Sequence, residues 1–159
     1  MVRTMTALFL VVLSCSSSSP TRTASIYVGQ LQPLLQENSL LAERVLLQAA
    51  DLYNNAARSE DVVQKWETDI TPVAEHLHFQ AKHAEVPEEW SERHDQLVRI
   101  WGDRGGAYRD ITEGLRLVNR ERWDRGTKSA DEVKLAEEDW FVAINEELGA
   151  INVSLDPYP

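Results

Sequence analysis

The chain has one cysteine, Cys15, among 159 residues. No intramolecular disulfide can form, so the fold has to rest on an apolar core. A lone thiol also rules out a Cys-x-x-Cys-His haem attachment. Both methionines, Met1 and Met5, sit at the extreme N-terminus, away from any body that could hold a His/Met haem. Glycine is scarce, at seven residues, and no Asn-Gly or Asp-Gly pair marks a hairpin. No credible strand is left to read. There is no Gly-x-Ser-x-Gly elbow, and no glycine loop leads into a lysine, so nucleophilic catalysis and phosphate cradling lack their usual scaffolds. Basic residues are outnumbered 16 to 26, for a net charge of −10. That balance excludes nonspecific nucleic-acid binding, which needs Lys and Arg against phosphate. The same charge sets the body against anionic lipid headgroups, so a tether, and not a face of the domain, is expected to provide membrane residence.

Long apolar runs are absent too. The longest clear one, Ala7 to Leu13, falls far short of the roughly 20 residues that span a bilayer. It does match the apolar core of a secretion signal, about 7–15 residues, behind a start made weakly positive by Arg3. Ser14 and Cys15 follow, then Ser16 to Ser19 and Pro20. The segment Val12-Leu13-Ser14-Cys15 resembles the cleavage box of bacterial lipoproteins, with Leu13 where a smaller residue is usual. The resemblance covers about 20 residues. It implies a diacylglyceryl thioether on Cys15, cleavage before Cys15 and acylation of the new amine. Palmitate-like chains would then hold the protein to a membrane of the cell envelope. Ser16, not Asp, implies the outer membrane where the source has one. Two or three acyl chains anchor firmly where one is marginal. The expected organisation is a signal peptide over 1–14, the lipidated Cys15 with a flexible Ser-rich tether over 15–25, a helical body over 26–152, and a loose tail over 153–159.

The body reads as all-α. A first helix, Ser25 to Ala57, carries Leu34, Leu41, Val45 and Leu52 on one stripe. Leu35, Ala42, Leu46, Ala49, Tyr53 and Ala56 lie on a second stripe beside it, and Pro33 marks a kink or the start. Ser59 before Glu60 and Asp61 reads as an N-cap. The second helix then runs to Glu85 on Trp66, Ile70, Val73, Leu77, Ala81 and Ala84, with a bend at Pro72. Val86-Pro87 stops it, and Pro87 opens a third helix to Arg120. Its 4-3 repeat is the cleanest: Trp90, His94, Leu97, Trp101, Tyr108, Ile111, Leu115 and Val118, with Arg104 in the one polar slot. Gly102, Gly105 and Gly106 flank that slot, and the helix is expected to stay continuous through them. Glu121 to Lys128 reads as a turn, and Ser129 with Glu132 as a capping box. A fourth helix follows from Ala130 to Ile151 on Val133, Ala136, Trp140, Ala143 or Ile144, Leu148 and Ile151. Four long helices on short turns predict an antiparallel up-down four-helix bundle.

Three groups of residues invite chemistry. His76, His78 and His83 lie on the second helix and His94 on the third. Glu75 with His78 forms one Glu-x-x-His, but the second such unit of a di-iron bundle is missing, with Ser91 three residues before His94. His76 and His83 share a face about 10 Å apart along the axis. Metal is therefore not expected. An envelope metal- or haem-binding bundle using His76, His78, His83 or His94 stands as the alternative reading. Trp101, Arg104 and Tyr108, beside the glycines, outline a possible ligand notch in which Arg104 offers a fork to a carboxylate or phosphate. The competing reading pairs Arg104 with an acid of the fourth helix. Arg116, Arg120, Arg122, Arg125 and Lys128 cluster at the third turn, where they either meet an acidic partner or are simply solvated. The reading is a non-enzymatic lipoprotein with no cofactor, held by lipid on Cys15, whose bundle binds an envelope protein or small ligand.

Overall fold

The computed structural model describes residues 19–54 and 58–156. The expected signal peptide, Cys15, the expected helix end at Ala57 and residues 157–159 lie outside the described residues. Within them the chain is all helical, with no strand. Helix α1 spans Pro20–Tyr53. Helix α2, Ser59–Lys65, passes through a π-helical turn, Trp66–Ile70, into α3, Thr71–Lys82. A 3₁₀ turn, Glu88–Trp90, leads into α4, Ser91–Arg116, and α5 is Arg120–Gly149. Four long helical units result, counting α2 to α3 as one. None of these helices is long and apolar enough to cross a membrane.

Helix α1 starts at Pro20, inside the stretch expected to be a tether. Ser19 caps it by accepting the N–H of Arg22 at 3.4 Å, and proline suits the first helical position, where no N–H donor is needed. Burial of Ala24 and Tyr27 ties this first turn to the core. Pro33 sits inside the helix without ending it, leaving the carbonyl of Gly29 without its usual donor. Only one of the two expected stripes is covered throughout. Leu41 is buried and Leu34, Val45 and Leu52 pack on the core. On the other stripe Leu35 is buried but Leu46 and Tyr53 face solvent.

Pro72 does more than bend the second unit. It cannot donate to the carbonyl four residues back, and the chain answers with one wide turn in which Thr71 N–H reaches Trp66 O. Ser59 is not the cap expected of it. It stands inside the helix after Arg58, and no side chain caps this end. Arg58 instead pairs with Asp61 at 2.9 Å.

Helix α4 runs unbroken through Gly102–Gly106, as the repeat predicts. The turn after it is shorter and earlier than expected. α4 closes in a Schellman arrangement, with Asn119 N–H on Gly114 O at 2.8 Å and Val118 at φ 51°. Asn119 then caps α5 by accepting Arg122 N–H at 3.0 Å. Ser129 therefore lies inside α5, not at its start, and Trp123 and Gly126 belong to the helix. Glycines permit close approach of the two helices: a Cβ on Gly126 would fall 2.7 Å from Ile111 N, and one on Gly114 2.6 Å from Trp123 N. The tail is not loose as far as Asp156. Leu155 is buried, and its N–H meets the Asn145 side chain at 2.8 Å.

Candidate functional site

Three helices each carry one polar residue in the middle of an apolar stripe. On α1 it is Asn38, between Leu35 and Leu41. On α4 it is Arg104, between Trp101 and Tyr108. On α5 it is Glu137, between Val133 and Trp140. The fold brings the three together. Arg104 donates to the Asn38 carbonyl oxygen and, at 2.5 Å, to Glu137 Oε2. Glu137 Oε1 accepts from Asn38 Nδ2 at 3.0 Å and from the Trp101 indole at 2.6 Å. Arg104 is only 7 % exposed, so this is a desolvated ion pair made tolerable by the added hydrogen bonds.

Trp101 and Arg104 of the expected notch do meet, on Glu137 and not around an open space. Tyr108 stands apart from the cluster's hydrogen bonds and packs edge-on against Trp66, with ring centroids 5.4 Å apart. Burial raises the Tyr108 phenol above its ordinary range, against the opposing pull of Arg104. The glycines do not open a space around Arg104 itself: Gly102 and Gly106 line an open groove between α4 and α5 whose lining does not include Arg104. Gly102 makes room for the His78 ring, which lies 2.7 Å from where a Cβ would stand. The pairing with an acid of the last helix, weighed as the alternative for Arg104, is the arrangement found. Asn38 and Glu137 were missed. Their signal was the polar interruption of a stripe, the same signal that marked Arg104.

The histidines do not converge. His94 is buried and engaged at both ring nitrogens: Nε2–H donates to the Ala81 carbonyl at 2.7 Å, and Nδ1 shares a hydrogen bond with Tyr27 OH at 3.3 Å. Tyr27 also stacks on Trp90, and burial drives its phenol well above the ordinary range. His83 Nδ1 bonds the Phe79 carbonyl at 2.8 Å, and His76 is exposed. His78 turns away to Gly102, and its companion Glu75 pairs with Arg109. Among the described residues no group of three or more His, Cys, Asp or Glu is placed to hold a metal.

At the α4–α5 end, the basic cluster is laced with acids. Asp110 binds Arg122 at 2.9 Å and Arg125 at 3.0 Å, and Arg122 also reaches Glu113. The hydrogen bond from Arg125, helped by Arg122, holds the Asp110 carboxyl below its ordinary range. Lys128 faces Glu132 at 3.6 Å and Arg120 faces Asp124 at 3.6 Å. Above this lattice an open groove of about 800 Å³ runs between α4 and α5, lined by Gly106, Asp110, Arg125, Glu132 and Val133 among others. Its charges are mixed and largely paired, so it shows no preference for one sign of ligand. No protein-family model matches the chain, and comparisons with curated proteins and with solved structures give no significant match.

Proposed function

We propose that the chain is a lipid-anchored protein of a bacterial envelope, its acyl groups on Cys15, whose helical body serves binding and not catalysis. The leader carries the reading: a short apolar run, a small residue and the sole cysteine in lipoprotein order. The folded body is consistent with a non-catalytic role, because its most polar interior cluster is saturated by its own members. With Ser19 already capping α1, only residues 16–18 separate the anchor from the fold. Four Cα steps reach at most about 14 Å, so the α1 end of the body would rest close to the bilayer.

For the body we propose the antiparallel up-down bundle. Paired residues support it. Between α4 and α5, Ile111 meets Gly126 and Arg93 meets Glu147. Between α3 and α4, Thr71 meets Thr112 and Ala81 meets His94. In both pairs numbers rise on one helix as they fall on the other. α1 and α4 rise together, Tyr27 with His94 and Asn38 with Arg104, as diagonal helices of such a bundle do.

The test is fractionation of cells expressing the chain and its Cys15→Ser variant, with radiolabelled palmitate. The intact chain should take up label and sediment with membranes, and the variant should do neither. Unlabelled intact chain, or a variant that stays with membranes, overturns the anchor.

A further inference from the structure

The tip of the α4–α5 hairpin is built against the usual rules for a turn. Val118 holds φ 51°, in the left-handed region that glycine takes without cost and β-branched residues avoid. The strained residue is not tucked away: its side chain is 91 % exposed, and Leu117 beside it is 58 % exposed. Arg116 and Arg120 bracket the pair, with no carboxylate among residues 116–120. Glu121 follows Arg120 directly, and the next acids are approached by arginines: Glu113 by Arg122 and Arg116, Asp124 by Arg120.

A third apolar side chain belongs to the same end. Tyr27 pairs with His94 and Asn38 with Arg104, at separations of 67 and 66 residues. The same offset carried along α1 sets Tyr53, 90 % exposed, level with Asn119 and Arg120. One end of the molecule thus offers valine, leucine and tyrosine, edged by guanidinium groups.

We propose that this tip is a contact site for an anionic lipid surface, with Val118 and Leu117 entering the headgroup region and Arg116 and Arg120 engaging phosphates. Size and charge select that occupant. Three side chains are far fewer than the roughly 20–30 residues per side of a stable protein interface. A bilayer boundary needs no such area, because shallow apolar side chains and nearby cations act together there. Tyrosine suits the same boundary, and arginine forks onto phosphate. The net charge of −10 is not shared by the tip, where residues 113–125 carry four arginines against the three carboxylates of Glu113, Glu121 and Asp124. The inference is independent of lipid on Cys15.

The experiment uses the full chain with Cys15→Ser, so that Val118→Cys supplies its only thiol for an environment-sensitive fluorophore. Vesicles of equimolar phosphatidylglycerol and phosphatidylcholine should shift its emission to the blue, whereas pure phosphatidylcholine should not. A label at Leu135→Cys, exposed midway along α5, should stay unchanged. Replacing Arg116 and Arg120 together by Gln should raise the lipid concentration for half effect roughly thirtyfold, at about 1 kcal/mol per basic residue. Leu117→Cys repeats the readout should the label at 118 disturb the turn. Val118→Gly, labelled at 117, should bind more weakly while raising the urea midpoint, because it removes strain and side chain together. No shift at either position, an equal shift on neutral vesicles, or an equal shift at 135 overturns the proposal.

Discussion

The residue that decides the interior is Arg104, because it is a cation inside an apolar seam. Deleting one partner of a buried pair leaves the other desolvated, at about 3–5 kcal/mol, whereas replacing both by apolar groups is often near neutral. Glu137 accepts from Arg104, Asn38 and Trp101, so Glu137→Leu strands a guanidinium and an indole N–H together. We expect Glu137→Leu to destabilise by about 3 kcal/mol or more. Arg104→Met should cost less, since Asn38 and Trp101 still donate to the carboxylate. The double variant should recover much of the loss. Urea unfolding of all three checks this; strictly additive losses would mean that the groups do not act as a unit. Asp110 acts at the surface and more weakly. Its carboxyl titrates below its unfolded value, so its contribution is present above the ordinary carboxylate range and is lost as pH falls through the lowered folded value. Asp110→Asn should therefore flatten the acid limb of stability against pH. Near neutrality it should cost below about 1 kcal/mol, as expected for an exposed pair.

Among the elements, α4 and α5 show glycine in two opposite roles. Gly126 faces Ile111 N at 2.7 Å and the Ala107 carbonyl at 2.9 Å, backbone atoms that cannot step aside. Gly126→Ala should force the helices apart and cost about 1–3 kcal/mol. Gly106 has no neighbour nearer than the Arg109 guanidinium at 4.0 Å. There alanine should stabilise by about 0.5–1 kcal/mol through helix propensity alone. Thermal melts of the two variants should move in opposite directions. These glycines also mark what was legible beforehand. The 4-3 repeat of α4 gave its buried face as far as Ile111, because large apolar residues at that spacing have one way to be covered. The three glycines were correctly read as compatible with a continuous helix. Their partners were not readable, since His78 over Gly102 is a contact between distant positions. The start of α5 was misplaced because Ser129-Ala130-Asp131-Glu132 has the form of a capping box, while Asn119 caps behind a valine in glycine's conformation. Composition gives no sign of that geometry. The buried cluster was half legible: Arg104 stood out on its stripe, but the same interruption at Asn38 and Glu137 was read over.

At the scale of the whole molecule, charge and length together limit how the protein can meet a lipid surface. A body of net charge −10 resists lying on its side against anionic headgroups. Its two ends are exempt, one by the proposed acyl chains before Pro20 and the other by the Arg-edged tip. α4 alone, 26 residues at about 1.5 Å each, sets those ends roughly 40 Å apart. One rigid copy cannot place both ends on the same flat leaflet, so each should find its own surface. Acylated protein mixed with phosphatidylglycerol vesicles is therefore expected to cluster them, seen as a rise in light scattering that added salt reverses through the tip alone. Acylated protein with Arg116 and Arg120 replaced by Gln should still coat vesicles but leave them dispersed. The Cys15→Ser chain should bind through the tip without clustering. Clustering that survives the double replacement would mean that the second contact lies elsewhere on the body.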